Sequence, residues 1–417
     1  MVSALVVVGL IVAVFVGFNI GGSSTGVAFG PAVGSKLVRK FTAGVLFAAF
    51  AFVGAWTVGR NVIDTMSGGI VPAAEFSPVA AVGVLFFTGL ALLVSNLYGV
   101  PASTSMTAVG AIVGLGLATG TLNEALMFTI VSAWIVAPLI GFGAGAVIGR
   151  YVYPRLEARL AFTRLQEQLV QLDRSGTVPR LRLNGNASPR DVVGSVLVLA
   201  IACYMGFSAG ASNAANAVAP LVGNGSVGID DGILLAVGAI GLGGFTIARR
   251  TLATVGDGIT DLPILAALLV STIGATIITI LSYLGIPASL AVSTTCTIIG
   301  LGWGRASRAV SLAEIATPDP DATAGPSLST GALSTASEDA DKPTGPTVGD
   351  LASGEEQPVP EPGEKPEPVT PIGEEDLEEL TKESLFDPAA TSKIVVLWVL
   401  TPSLAVVASY ALFSLLL

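Results

Sequence analysis

The sequence predicts an all-α membrane protein of two inverted repeats, each of about five transmembrane segments, with broken or re-entrant helices at the midplane. Three observations predict it. The first is composition: the 417 residues are 52% hydrophobic and 12% charged, with a mean hydropathy of +0.77, where a soluble domain carries about a quarter charged residues. The second is a series of ten apolar runs, at 2–18, 41–59, 79–98, 103–119, 124–149, 191–207, 231–248, 262–283, 286–303 and 394–416. Their lengths cluster near the ~20 residues that cross a bilayer. The third is a Gly- and Ser-rich stretch that occurs twice.

The first run, MVSALVVVGLIVAVFV, has no basic stretch ahead of it and reads as a spanning segment, with no secretory leader visible. It passes into GFNIGGSSTGVAFGPAVGS, residues 17–35. One helix over 2–35 would be about 50 Å long against a hydrocarbon core of ~30 Å, so the chain is expected to break or fold back there. The fifth run leads into a connector, 150–190, that carries eight arginines against Glu157, Glu167 and Asp173. That excess places it in the cytoplasm. Leu156, Leu160, Leu165, Leu169 and Leu172 fall roughly on one face and predict a helix over its first half. Counting outward puts Lys36, Arg39, Lys40, Arg249, Arg250, Arg305 and Arg308 inside, and both termini, Asp230 and Asp231 outside. Only Arg60 falls on the wrong side, while Glu75 and Glu124 stand at segment ends as interfacial groups.

The acidity of the chain, with a pI near 4.6, is local. Residues 317–387 hold 18 of the 30 acidic residues and 3 of the 20 basic ones, which leaves the remainder mildly basic. With Pro388, this stretch also holds 12 of the 24 prolines. Such a composition cannot bury enough apolar surface to offset its ordering entropy, so a disordered cytoplasmic segment is expected. The domains are then 1–149, a first membrane repeat; 150–190, the Arg-rich connector; 191–303, four segments of the second repeat; 304–391, the acidic Pro-rich segment; and 392–417, the final span.

The duplication sets the architecture. GFSAGASNAANAVAPLVGN, from Gly206 to Asn224, aligns with the earlier stretch at an offset of 189, pairing Gly17 with Gly206, Phe18 with Phe207, Gly21 with Gly210, Ser23 with Ser212 and Pro31 with Pro220. GVPASTSMTAVGAIVG (99–114) matches GIPASLAVSTTCTIIGLG (285–302) at an offset of 190, where Ser103, Thr104, Thr107 and Gly110 meet Ser293, Thr294, Thr297 and Gly300. Two matches at nearly one offset indicate a duplicated unit. Because the two copies follow segments of opposite direction, the repeat is inverted, as in secondary transporters. Small polar residues at membrane depth either pack helices closely or line a cavity. Two inverted copies, each joined by a Ser/Thr cluster, favour a neutral polar cavity.

At these residues the chain resembles the inorganic phosphate transporter (PiT) family of cation-coupled symporters. The family's Gly-Ala-Asn-Asp-x-x-Asn-x-x-Gly-Thr/Pro signature is matched by GGSSTGVAFGPAVGS (21–35) and GASNAANAVAP (210–220). Its Pro-Val-Ser-Thr-Thr-His signature is matched by PASTSM (101–106) and AVSTTC (291–296), and TVGDGITDL (254–262) is similar to the stretch between. The departures mark a divergent member lacking the signature aspartates: Asn-Asp becomes Ser23-Ser24 and Ser212-Asn213. The second signature Asn is Asn216 in one half and Val27 in the other, and the histidines become Met106 and Cys296. The resemblance implies phosphate transport, with Na⁺ as coupling ion and sulfate, or another oxyanion, as the alternative substrate. It implies Ser103, Thr104, Ser105, Ser293, Thr294 and Thr295 as donors to the oxyanion. Ser23, Ser24, Thr25, Ser212, Asn213 and Asn216 are then the cation-side or rim candidates. A homodimer is compatible with this reading; nucleic acid and an organic cofactor are not part of it.

Other classes fare worse. Asp257 and Asp261 stand four apart, but beside Arg249 and Arg250 at the expected cytoplasmic edge they read as a cap or ion pair rather than as a protease dyad. A chain without histidine holds no Ser-His-Asp set, and no P-loop for a primary pump is present. An uncoupled anion facilitator and a sensor with a regulatory acidic tail remain as rivals. Cys203 and Cys296 lie in apolar runs and read as small buried hydrophobes.

Overall fold

The computed structural model describes residues 4–34, 37–97, 103–159, 170–173, 180–183, 189–246, 264–308 and 388–416. The acidic segment over 317–387 and the Asp257–Asp261 pair lie outside the described residues. The long helices are α1 (Ala4–Gly34), α2 (Lys40–Thr57), which a short α3 (Gly59–Asp64) extends, α4 (Pro78–Leu97), α5 (Thr104–Thr119) and α6 (Glu124–Val147). After a short α7 (Tyr153–Arg159) come α8 (Pro189–Gly223), α9 (Ile229–Thr246), α10 (Ile264–Tyr283), α11 (Leu290–Ala306) and α12 (Pro388–Leu416). Seven are long and apolar enough to cross a membrane: α1, α2, α6, α8, α9, α10 and α12.

Two local expectations are corrected. The Gly-rich stretches do not break the chain, because α1 and α8 run uninterrupted through them for 31 and 35 residues. They are therefore about 46 and 52 Å long, well beyond a ~30 Å core. The interruptions fall instead at the Pro-Ala-Ser stretches, between α4 and α5 and between α10 and α11. Ser103 and Ser289 hold the N-cap positions of the helices that follow, and Pro287 offers no backbone donor in the second interruption. The second correction concerns the connector. Among the described residues of the connector α7 is helical, and Val170–Asp173 pairs antiparallel with Arg180–Leu183, so Leu172 lies in a strand, paired with Leu181, and not on a helix shared with Leu156.

The glycines that could have broken α1 and α8 serve contact. A Cβ on Gly21 would lie 1.8 Å from the Ile240 carbonyl oxygen of α9, and one on Gly210 would lie 2.0 Å from that of Ala51 in α2. Gly54 of α2 meets the Phe207 carbonyl at 1.9 Å, and Gly243 of α9 meets that of Phe18 at 2.0 Å. Each contact recurs with its members exchanged between the halves at the offset of 189. The later helices do the same: Gly110 and Gly114 of α5 abut Pro402 and Val406 of α12, while Gly300 and Gly304 of α11 abut Phe142 and Ala146 of α6. A reciprocal contact set of this kind is what a two-fold exchange produces.

The helices thus form a central group, α1, α2, α8 and α9, flanked by α4, α5 and α12 on one side and by α6, α10 and α11 on the other. Helix α8 is enclosed through its Gly-rich part, with Ala209, Ala211, Ala214, Ala215, Ala217, Val218 and Ala219 all buried. The outward faces carry Ile11, Phe41, Phe128, Ile135, Leu139, Val407 and Leu415, an apolar coat suited to lipid. Arg60, the basic residue that broke the charge rule, pairs with Asp230 at 2.5 Å and lies 4.5 Å over the Trp56 ring.

Candidate functional site

Both interruptions converge on one stretch of α8. Ser105, in the first turn of α5, has its hydroxyl 3.4 Å from that of Ser212, and Ser212 Oγ donates to the Ala288 carbonyl at 2.8 Å, two residues before α11 begins. Asn216, one turn further along α8, donates from Nδ2 to Ser105 Oγ at 3.1 Å and to Asn213 Oδ1 at 3.2 Å. Ser105, Ser212, Asn213 and Asn216 are all buried. They meet here because α8 places positions 212 and 216 one above the other on one face, and small alanines around them let the neighbouring chain ends come close.

The segment before α11 is fixed by three side chains from three helices. Asn61 Nδ2 donates to Tyr283 O at 2.6 Å, Trp134 Nε1 to Pro287 O at 2.7 Å and Ser212 Oγ to Ala288 O. Gly285 there has φ +73, a left-handed conformation, and a side chain at this glycine would also meet Thr65 Oγ1 at 2.9 Å. Helix α11 is capped, since Ser289 Oγ accepts from the Val292 amide at 3.4 Å. Helix α5 is not: Ser103 occupies the N-cap position without a side-chain cap bond, and its fully buried hydroxyl has no partner among the described residues. The opening amides of α5 therefore lack a capping side chain, and with the Ser103 hydroxyl they make a neutral donor set at the positive end of a helix dipole.

The candidates named from sequence separate into two groups. Ser103, Ser105, Ser212, Asn213 and Asn216 are brought together at the start of α5. Thr104 is half-buried beside them on α5. Ser293 and Thr295 are buried on α11, but among the described residues no hydrogen bond joins their hydroxyls to the α8 set. Thr294 turns elsewhere, donating to Leu290 O of its own helix at 2.8 Å with its methyl group against Gly274 of α10. In the first Gly-rich stretch, Thr25 is buried, bonds to Gly21 O at 2.8 Å and faces Gly244 of α9; Ser24 is half-buried. The side chain of Ser23 lies outside the described residues. The polar content of the two copies is thus used unequally. Sequence reasoning missed the Ala288 carbonyl, although Ala288 follows Pro287 as Ala102 follows Pro101. It also missed Ser208, which donates to Ala275 O of α10 at 3.1 Å.

Among the described residues no cluster of three or more His, Cys, Asp or Glu side chains exists, and both cysteines are free thiols. Met106 and Cys296, which replace the motif histidines, pack with Val292 and Trp398 in a small apolar cluster where α5, α11 and α12 meet.

The sequence profile of the phosphate transporter family matches residues 20–317 of this chain. A sulfate permease of Bacillus subtilis (CysP) is 32% identical over 298 residues, covering 71% of this chain and 77% of the relative. The chloroplastic inorganic phosphate transporter 2-1 of Arabidopsis thaliana is 24% identical over 382 residues, covering 70% of this chain and 64% of the relative. A solved sodium-dependent phosphate transporter superposes with a TM-score of 0.64 over 99% of each chain at 18% identity, which establishes likeness of fold.

Proposed function

The chain belongs to the phosphate transporter family, and on that premise we propose that it carries inorganic phosphate across the cell membrane by alternating access, in symport with Na⁺. The observation that carries this reading is the convergence of two helix interruptions, one from each half, on the buried Ser212–Asn216 face of α8. Ser103 and the first amides of α5 supply donors to the oxyanion without a counter-charge, with Ser105 tying this end of α5 to Ser212. Asn213 and the carbonyls at the interruptions supply neutral oxygens for Na⁺. The reciprocal glycine contacts support inverted repeats, with residues 1–149 as the first and residues 191–303 with 392–417 as the second. In this reading the two flanking helix groups shift against the central four helices, exposing the α8 face to one side and then to the other. Both termini lie outside, and the Arg-rich connector and the acidic segment lie in the cytoplasm.

Sulfate is the second reading, favoured by the 32% identity to a sulfate permease. Purified protein in liposomes decides between them: labelled phosphate and labelled sulfate are offered with and without an inward Na⁺ gradient. Phosphate uptake that rises with the gradient is the expected result. Uptake indifferent to sodium would leave a facilitator, and uptake of neither anion would remove the assignment.

A further inference from the structure

The direction of the hydrogen bonds at α8 identifies an acceptor that the transport reading has not used. The Ala288 carbonyl can only accept, so the single hydroxyl hydrogen of Ser212 goes to it at 2.8 Å. Ser212 Oγ can then only accept from Ser105, and the Ser105 hydrogen is committed to it. Ser105 Oγ must in turn accept from Asn216, which sets the Nδ2 side of that amide toward Ser105. The other Nδ2 hydrogen goes to Asn213 Oδ1. This chain of donors fixes the orientation of the Asn216 amide and leaves its carbonyl oxygen out of the network. Asn216 is 1% exposed, and its Oδ1 has no hydrogen-bond partner among the described residues. A buried acceptor left in that state costs about 1–3 kcal/mol and favours a ligand that brings a donor.

We propose that Asn216 Oδ1 accepts the hydroxyl hydrogen of a protonated oxyanion, so that the site selects hydrogen-bearing phosphate, and arsenate with it, over sulfate. The inference rests on the oxyanion-permease reading and goes beyond it by naming the atom that separates its two substrates. At neutral pH phosphate keeps at least one P–OH group, which acts as donor to Oδ1 while the unprotonated oxygens accept from Ser103 and the α5 amides. Sulfate has four acceptor oxygens and no hydrogen. Placed here, it sets an oxygen lone pair against a fixed carbonyl lone pair in a buried site. Sites built to bond a substrate hydroxyl reject analogues lacking it by large factors.

The test uses the full-length protein in liposomes. Labelled phosphate and labelled sulfate uptake are measured directly, and phosphate uptake is competed with arsenate, sulfate and monofluorophosphate, a tetrahedral dianion without a P–OH hydrogen. Arsenate is expected to compete as phosphate does, whereas sulfate and monofluorophosphate compete at least ~100-fold more weakly. Asn216→Ala is expected to bring that ratio to within about tenfold, by lowering phosphate affinity more than monofluorophosphate affinity. A merely structural defect would weaken both anions equally and leave the ratio unchanged, which would overturn the proposal. Should Asn216→Ala fail to insert, Asn216→Ser serves the same comparison, since its hydroxyl can donate to either anion. Equal competition by monofluorophosphate, or sulfate uptake as good as that of phosphate, would overturn the inference while leaving an oxyanion permease. An altered Na⁺ dependence in the variant with the anion ratio intact would also overturn it, by making Oδ1 a cation ligand. Uptake of neither phosphate nor sulfate by the wild type would instead overturn the permease reading on which the inference rests.

Discussion

Ser212 joins the two helix interruptions through one oxygen, donating to Ala288 O while lying 3.4 Å from the Ser105 hydroxyl. Ser212→Ala removes both contacts and leaves a buried carbonyl without its donor, a loss of about 1–3 kcal/mol. The expected outcome is a lower melting temperature in detergent together with reduced uptake; an unchanged melting temperature would mean that the tie is not formed. Asn213 accepts from Asn216 and is buried beside it. Asn213→Ala is expected to weaken uptake or its sodium dependence, and initial rates across a sodium titration would show it. Arg60→Ala is expected to matter little. In the Arg60–Asp230 pair Asp230 is exposed and Arg60 half-exposed, and such surface pairs contribute no more than about 1 kcal/mol.

Among the elements, the helix crossings turn on glycines, and they separate into two classes. Gly21, Gly54, Gly210 and Gly243 each hold a carbonyl oxygen of the facing helix where a Cβ would stand, at 1.8 to 2.0 Å. Backbone cannot move aside as a flexible side chain can. Alanine at any of the four is expected to destabilise by roughly 1–3 kcal/mol or more, the range for overpacking. Gly143 and Gly238 have nothing within 4 Å of such a Cβ. Alanine there is expected to be neutral or to add up to ~1 kcal/mol through helix propensity. Thermal unfolding of the six single variants in one detergent checks the division, and equal effects in both classes would refute it. The same face explains why α1 and α8 stay whole. An unbroken helix bonds its own backbone internally, and its small residues let a neighbour approach.

For the molecule as a whole, the last helix is part of the fold, although the acidic segment separates it from the rest in sequence. Helix α12 packs on α5, with Ser409 Oγ donating to Ala111 O at 2.6 Å and the Pro402 carbonyl against Gly110. Helix α5 carries Ser105, with Ser103 at its N-cap, and packs along α12. A chain ending after residue 308 is expected to lose both folding and uptake. A chain in which 317–387 is replaced by a flexible linker of about 20 residues, long enough to bridge the ends, is expected to keep uptake. Expression, size-exclusion profile and liposome uptake of the two deletions test this. Loss of uptake in the linker variant with an intact profile would assign the acidic segment a transport role.

The sequence alone determined the membrane setting, the segment pattern and the duplication. Hydropathy and repeated small-residue motifs are properties of the chain read in one dimension, and each is set by local physics. Through the resemblance of its motifs to the transporter family it also pointed to Ser103, Ser105, Ser212, Asn213 and Asn216. It could not tell where the polar groups of each copy would find their partners. Thr25 and Ser212 stand in equivalent stretches, yet one bonds to its own helix and the other to a distant carbonyl. Nor could it place the interruptions at the Pro-Ala-Ser stretches instead of the glycines, since glycine permits a break without requiring one, whereas a facing helix can require a bare backbone. Those choices belonged to the tertiary structure: they depend on what lies across the helix face, and the partners come from the opposite half of the chain.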